Sequence, residues 1–145
     1  MRGRLEGAGS PRESRRDYWG AVLDAPDAVA LARFYTELLG WETTKEEPDW
    51  VTIGPPDGVA YLGFQTAVGY VPPMWPPAEG RQQMMMHLDF EVTDLDAAVA
   101  HALDLGAREA GHQPQDDVRV MLDPAGHPFC LYVGDDPASQ AHGGG

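Results

Sequence analysis

Two stretches of the chain place apolar residues at helical spacing, and short alternating runs of apolar and polar residues surround both. Between Asp27 and Gly40 the apolar positions Ala28, Leu31, Ala32, Tyr35 and Leu38 fall on one helical face. Between Asp94 and Gly106 the same face is drawn by Leu95, Ala98, Val99, Ala102 and Leu105. Each stretch opens with an aspartate whose carboxylate can accept from the first unpaired N–H groups of a helix. Each closes with a glycine able to adopt the left-handed conformation of a helix cap. Strands are expected before the helices at Tyr18–Asp24 and Met84–Val92. Further strands are expected after the first helix near Trp41–Thr44, Trp50–Ile53 and Val59–Gln65, and after the second at Ala107–Ala110, Val118–Leu122 and Phe129–Val133. Pro48-Asp49, Gly54–Gly58, Gly111–Asp117 and Asp123–Gly126 separate these runs, because Pro fixes φ and Gly permits turn geometry. The order is βαβββ twice, which gives an α+β fold of two tandem modules.

The two helix-capping aspartates are 67 residues apart, a repeat that suits two supersecondary units and is too long for a solenoid. The segment Val71-Pro-Pro-Met-Trp-Pro-Pro-Ala-Glu-Gly80 is too rich in proline for a helix or a central strand. It reads as a stiff strap carrying Trp75. The expected organisation is a disordered basic tail at 1–16, a folded domain at 17–135 and a flexible tail at 136–145. Within the domain, module 1 covers 17–66, the linker 67–83 and module 2 84–135.

Charge narrows the function. The chain has 145 residues and a formal net charge of −13, and from Asp17 onward five basic residues face 21 acidic ones. A body this negative repels phosphate backbones, so nucleic-acid binding is not expected. It favours a cationic or neutral ligand over an anionic one. No apolar run reaches the roughly 20 residues that a membrane-spanning helix needs. The single cysteine, Cys130, excludes an internal disulfide framework and a multi-cysteine zinc site. Ser14-Arg15-Arg16-Asp17 resembles a twin-arginine export signal, but Asp24 and Asp27 interrupt the apolar stretch such a signal requires. A cytoplasmic location is expected.

The tandem βαβββ layout, Phe34-Tyr35-Thr-Glu-Leu-Leu-Gly40-Trp41, His87-Leu-Asp89 and Asp123-Pro-Ala-Gly126-His-Pro-Phe-Cys130 together resemble the vicinal oxygen chelate (VOC) superfamily. Within it the chain is most similar to glyoxalase-like and bleomycin-resistance-like proteins of the actinobacterial type. The resemblance spans about residues 17–135. It implies that the modules form a curved mixed sheet with helices on the outer face and a ligand on the uncovered side. The superfamily contains lyases, isomerases, dioxygenases, transferases and non-catalytic drug binders, so fold alone does not choose the activity.

Strand alternation sorts the residues between the two sides. Met86, Leu88, Phe90, Val92, Phe129, Leu131, Val133, Trp19, Ala21, Leu23, Leu62 and Phe64 are expected toward helices, leaving Tyr18, Gln65, His87, Asp89, Cys130 and Tyr132 for the ligand side, with Arg119 and Met121 as additions. Trp75, Trp41 and Tyr18 are available as aromatic walls. The resemblance implies metal ligands on the first and last strand of each module. Counted from the capping aspartates, those positions hold Gly20, Gln65, His87 and Cys130, of which only His87 keeps the usual ligand. The usual metal site is therefore not expected, and no cofactor is expected. An irregular set, for instance His87 with Asp89 or Glu91 and Cys130, could hold a divalent metal, but His87, Asp89 and Glu91 stand two residues apart along one strand, which makes short metal–ligand bonds hard to converge.

The favoured reading is a protein that binds and sequesters a small organic molecule, acting as a homodimer through an open edge strand. The alternative is a lyase or isomerase in which His87 is the catalytic general base, Asp89 orients it, and Gln65 or Tyr132 donates to a developing enolate oxygen. A sheet domain serving only protein contacts is the third reading. His127 reads as a turn residue, and His101, His112 and His142 carry no expected role.

Overall fold

Asp27 and Asp94 start the two helices as the sequence predicts. Asp27 Oδ1 accepts from the Ala30 amide at 3.0 Å, and Asp94 Oδ1 accepts from the Ala97 amide at 3.0 Å. The computed structural model describes residues 2–4, 7 and 9–135. The expected tail at 136–145, with His142, lies outside the described residues. The chain divides into two units, Met1–Tyr70 and Val71–Gly145.

The first unit contains β1 (Trp19–Ala25), α1 (Ala28–Leu39), β2 (Glu42–Glu47), β3 (Trp50–Gly54) and β4 (Ala60–Thr66). Its sheet runs β1-β4-β3-β2, with β1 parallel to β4 and the other pairs antiparallel. Gly40, at φ 67°, ends α1 in the left-handed region. Helix α1 packs on β3 and β4, burying Leu31, Ala32, Phe34 and Tyr35 with Val51, Ile53 and Phe64. Tyr35 and Phe64 stack at 5.6 Å. Phe34, absent from the expected helical face, is also buried, because a helix packed on a sheet covers a stripe wider than one row.

The second unit contains β5 (Leu88–Val92), α2 (Leu95–Asp104), β6 (Arg108–Glu109), β7 (Val118–Leu122) and β8 (Pro128–Val133). Its sheet runs β5-β8-β7-β6, again with one parallel pair, β5 with β8. Both units are therefore mixed four-stranded sheets carrying one helix, the α+β class that the sequence predicts. Two local expectations change. Helix α2 stops one residue before its expected glycine cap, with Leu105 still in the right-handed region and Gly106 taking φ 106°. Met84–His87 is not strand. The parallel partner strand begins at Pro128, and the register starts at Leu88↔Phe129, so the ladder does not extend to the residues upstream of Leu88.

That turn is tied down by one side chain. Asp123 is 1% exposed and its Oδ1 accepts from the amides of Ala125 and His127, at 2.9 and 3.0 Å. Its Oδ2 lies 2.9 Å from His127 Nδ1. His127 is thus a turn residue, as expected. The proline-rich strap bends back on itself through a bridge between Met74 and Gln83. No helix among the described residues is long and apolar enough to cross a membrane.

Candidate functional site

Register fixes what each sheet shows on its helix-free side. In the first unit Gly20 pairs with Tyr61, Val22 with Gly63 and Asp24 with Gln65. The ring of Tyr61 covers Gly20 so closely that a Cβ there would lie 2.7 Å from it. Trp50 covers Gly63 in the same way, at 2.8 Å. A glycine inside a strand often marks such a close approach, and that is the signal by which Trp50 and Tyr61 can be found from sequence. Gln65 Nε2 donates to Asp24 Oδ1 at 2.6 Å, so its amide serves the strand next to it.

Tyr18, one residue before β1, is 41% exposed, and its hydroxyl donates to the Arg12 carbonyl. Arg12 belongs to a short 3₁₀ turn, Arg12–Ser14, and its guanidinium lies 5.1 Å above the Tyr18 ring. Close by, Arg15 Nε donates to Asp17 at 2.7 Å, and that hydrogen bond with the guanidinium charge holds the Asp17 carboxyl below its usual range. Arg12, Tyr18, Thr44, Thr52 and Tyr61 line a cavity of about 300 Å³.

In the second unit the parallel register sets Asp89 beside Cys130 and Glu91 beside Tyr132. His87, just ahead of β5, turns its imidazole back so that Nε2 lies 3.0 Å from Asp89 Oδ1. One ligand atom each of His87, Asp89 and Cys130 lie within 4.8 Å of one another. His87 and Asp89 are exposed, and Cys130 is half-buried. Burial pushes the Cys130 thiol up to about 11, helped by the Asp89 charge and by the hydrogen bond the thiol donates to that carboxylate. The group meets because His87 lies ahead of the extended strand and the third donor, Cys130, comes from the neighbouring strand β8, so the expected spacing problem of His87, Asp89 and Glu91 along one strand does not arise. Glu91 sits instead against Gly134.

Trp75 is half-buried, with its ring 6.2 Å from that of His112. Tyr132 is half-buried on the side of Glu91. Arg119 and Met121 are corrections to the expected ligand side. Met121 pairs with Phe129 and is fully buried, and Arg119 pairs with Leu131, so both share the helix-covered face. Arg119 reaches off the end of the sheet to the Asp116 carbonyl at 3.0 Å, which lets a charged residue occupy that face.

The donor chemistry of the two units differs. All five histidines and the cysteine lie beyond residue 70. At the four positions where the resemblance implies ligands, the first unit offers a glycine beneath a phenol ring and an amide bonded to Asp24. The usual set does not fit a metal. The nitrogen, oxygen and sulfur of His87, Asp89 and Cys130 are by type a set that zinc accepts, once the thiol gives up its proton.

The sequence profile described as the glyoxalase-like domain matches residues 20–132. The chain belongs to this family, within the VOC superfamily. Solved structures share the fold. A glyoxalase/bleomycin resistance protein/dioxygenase family enzyme from Burkholderia phytofirmans matches with TM-score 0.59 at 18% identity, covering 77% of this chain and 94% of its own. The fosfomycin resistance protein FosX from Mesorhizobium loti matches with TM-score 0.59 at 12% identity, covering 85% and 95%. The oxidase ChaP-H2 matches with TM-score 0.58 at 19% identity, covering 83% and 95%. No curated protein matches the chain.

Proposed function

We propose that this protein binds a small organic molecule on the helix-free side of its sheets, in the manner of a resistance or sequestration protein, without the superfamily's usual metal. One observation carries the reading: Tyr61 fills the space above Gly20, and Gln65 is bonded to Asp24, so neither usual position of the first unit presents an imidazole or a carboxylate. What stands on that side is aromatic and hydroxylic, the lining of a site that holds a ligand by its rings and a few polar groups. Tyr18, Gln65, Trp75, His87, Asp89, Cys130 and Tyr132 are the proposed ligand-binding residues. A cytoplasmic homodimer is part of the same proposal, with an edge strand such as β1, which exposes Trp19 and Val22, as the pairing element.

The test is a thermal-shift screen of aromatic compounds of all charge types, combined with metal analysis of protein purified without chelators. Shifts with some aromatic compounds and no stoichiometric metal are expected. Metal at one equivalent per chain that disappears in His87→Ala would overturn the metal-free reading. No shift with any compound would overturn ligand binding.

The His87–Asp89 contact of 3.0 Å favours a second reading, a glyoxalase-like lyase or isomerase. Asp89 orients the imidazole, and His87 takes a proton next to a carbonyl as general base. A divalent cation held by His87, Asp89 and Cys130 would supply Lewis-acid polarisation of a substrate oxygen. Loss of turnover in His87→Gln with ligand binding retained is the result that separates catalysis from sequestration.

A further inference from the structure

We infer that the cavity lined by Arg12, Tyr18, Thr44, Thr52 and Tyr61 is a binding site for a small planar carboxylate, with the anionic group on Arg12 and the ring against the phenols. The inference rests on the proposed ligand-binding function and names the ligand class for the first unit. The cavity, at about 300 Å³, has the size of a site for one small molecule.

Its lining contains one cation and no carboxylate. Arg12 has no acidic partner among the described residues. One of its Nη groups donates to the Gly58 carbonyl at 2.9 Å, and its central carbon lies 5.1 Å from the centre of the Tyr18 ring. Gly54 has no side chain where the guanidinium passes, so the arginine can lie close against the strand. A guanidinium fixed by a ring and a carbonyl keeps further N–H donors in a rigid fork, the geometry that matches a carboxylate. The Tyr61 hydroxyl has no hydrogen-bond partner among the described residues, which gives a second donor. Thr44 and Thr52 Oγ1 are 2.7 Å apart, and Thr44 also reaches the Thr52 carbonyl at 3.1 Å. Their hydrogens are used within the pair, and their oxygens remain to accept from a substituent on the ligand.

The acidic body does not decide against an anion here. Charges exposed to water are largely screened beyond about 8 Å at physiological salt, whereas a carboxylate in the cavity touches Arg12 directly. The body's field slows the approach of the anion, and the contact sets how long it stays.

The experiment titrates the full chain with benzoate, benzamide and benzamidine, which share a planar ring and differ in charge. Calorimetry gives affinity, and amide chemical shifts give location. Benzoate is expected to saturate with a Kd at least about tenfold below those of the other two, moving the amides of Thr44, Thr52 and Tyr61. Arg12→Gln is expected to weaken benzoate by about tenfold or more, and Arg12→Lys by less. Unchanged or tighter benzoate binding by Arg12→Gln overturns the inference. So does benzamidine binding as tightly as benzoate, or shifts confined to the neighbourhood of His87 and Cys130, and in those two cases the proposed ligand-binding function stands. No saturable binding by any of the three, with no response in the thermal-shift screen, overturns both.

Discussion

Asp89 and Cys130 are directly paired in the parallel register of β5 and β8, and the carboxylate accepts the hydrogen of the thiol. A thiol in this position is a poor nucleophile, because burial and the adjacent negative charge both oppose the thiolate. At pH 8 its thiolate fraction should be about a hundredfold below that of a cysteine with the ordinary value of 9.0. Iodoacetamide labelling should rise with a midpoint near 11, and Asp89→Asn should bring that midpoint down. A midpoint near 9 in the parent chain would show that neither burial nor the carboxylate acts on the thiol.

The same shift has a sign for stability. The folded value, about 11, lies above the ordinary 9.0, so between them the unfolded chain loses its proton first. The contribution is fully present below pH 9 and is lost as the pH rises toward 11. Urea midpoints measured at pH 8 and pH 10.5 should fall less in Cys130→Ser than in the parent chain.

Asp123 should be among the costliest single residues to lose. Its buried carboxylate holds two amides and the His127 ring, and Asp123→Ala leaves those donors without their acceptor. A loss of about 2–4 kcal/mol is expected from denaturant unfolding. His127→Ala, which removes a partner that is itself partly exposed, should cost less.

Gly63 lies under the Trp50 ring. Gly63→Ala puts a methyl group 2.8 Å from that ring, which must move. The expected destabilisation is about 1–3 kcal/mol, with a change in Trp50 emission relative to the Trp50→Phe background.

The caps of α1 and α2 should be equivalent. Asp27→Ala and Asp94→Ala each remove one 3.0 Å bond to a helix amide and should each cost about 0.5–2 kcal/mol. Asp→Asn at either position should restore most of the loss in urea unfolding.

The helices and the strand order were legible because local chemistry sets them: a capping aspartate, a 3.6-residue period, and turns marked by Gly and Pro. The family was legible because its motifs are short and ordered. Faces were legible wherever a strand alternates cleanly, as in Leu88–Val92. They failed at Arg119 and Met121, whose partners Leu131 and Phe129 put them on the helix side, and at Trp19, Met86 and Val133, expected under helices but exposed near strand ends that no helix covers. The meeting of His87 with Asp89 depends on where β5 starts, and that start is fixed by Pro128, some forty residues away. Arg12 sits in a basic, glycine-rich stretch whose composition says nothing of Tyr18 or Gly58. Its contacts come from chain reversal, which no local window contains.

The Tyr61 ring above Gly20 also bears on how this lineage can change. Replacing Gly20 by histidine would drive its Cβ into both the Tyr61 ring and the Tyr61 carbonyl oxygen, so placing a coordinating side chain there takes a smaller residue at 61 and a shift of the β1–β4 ladder as well. The intermediate would lose its aromatic lid before it gained any ion chemistry. Descendants of this sequence therefore face a barrier in the direction of a four-donor centre and an open road toward new organic cargo.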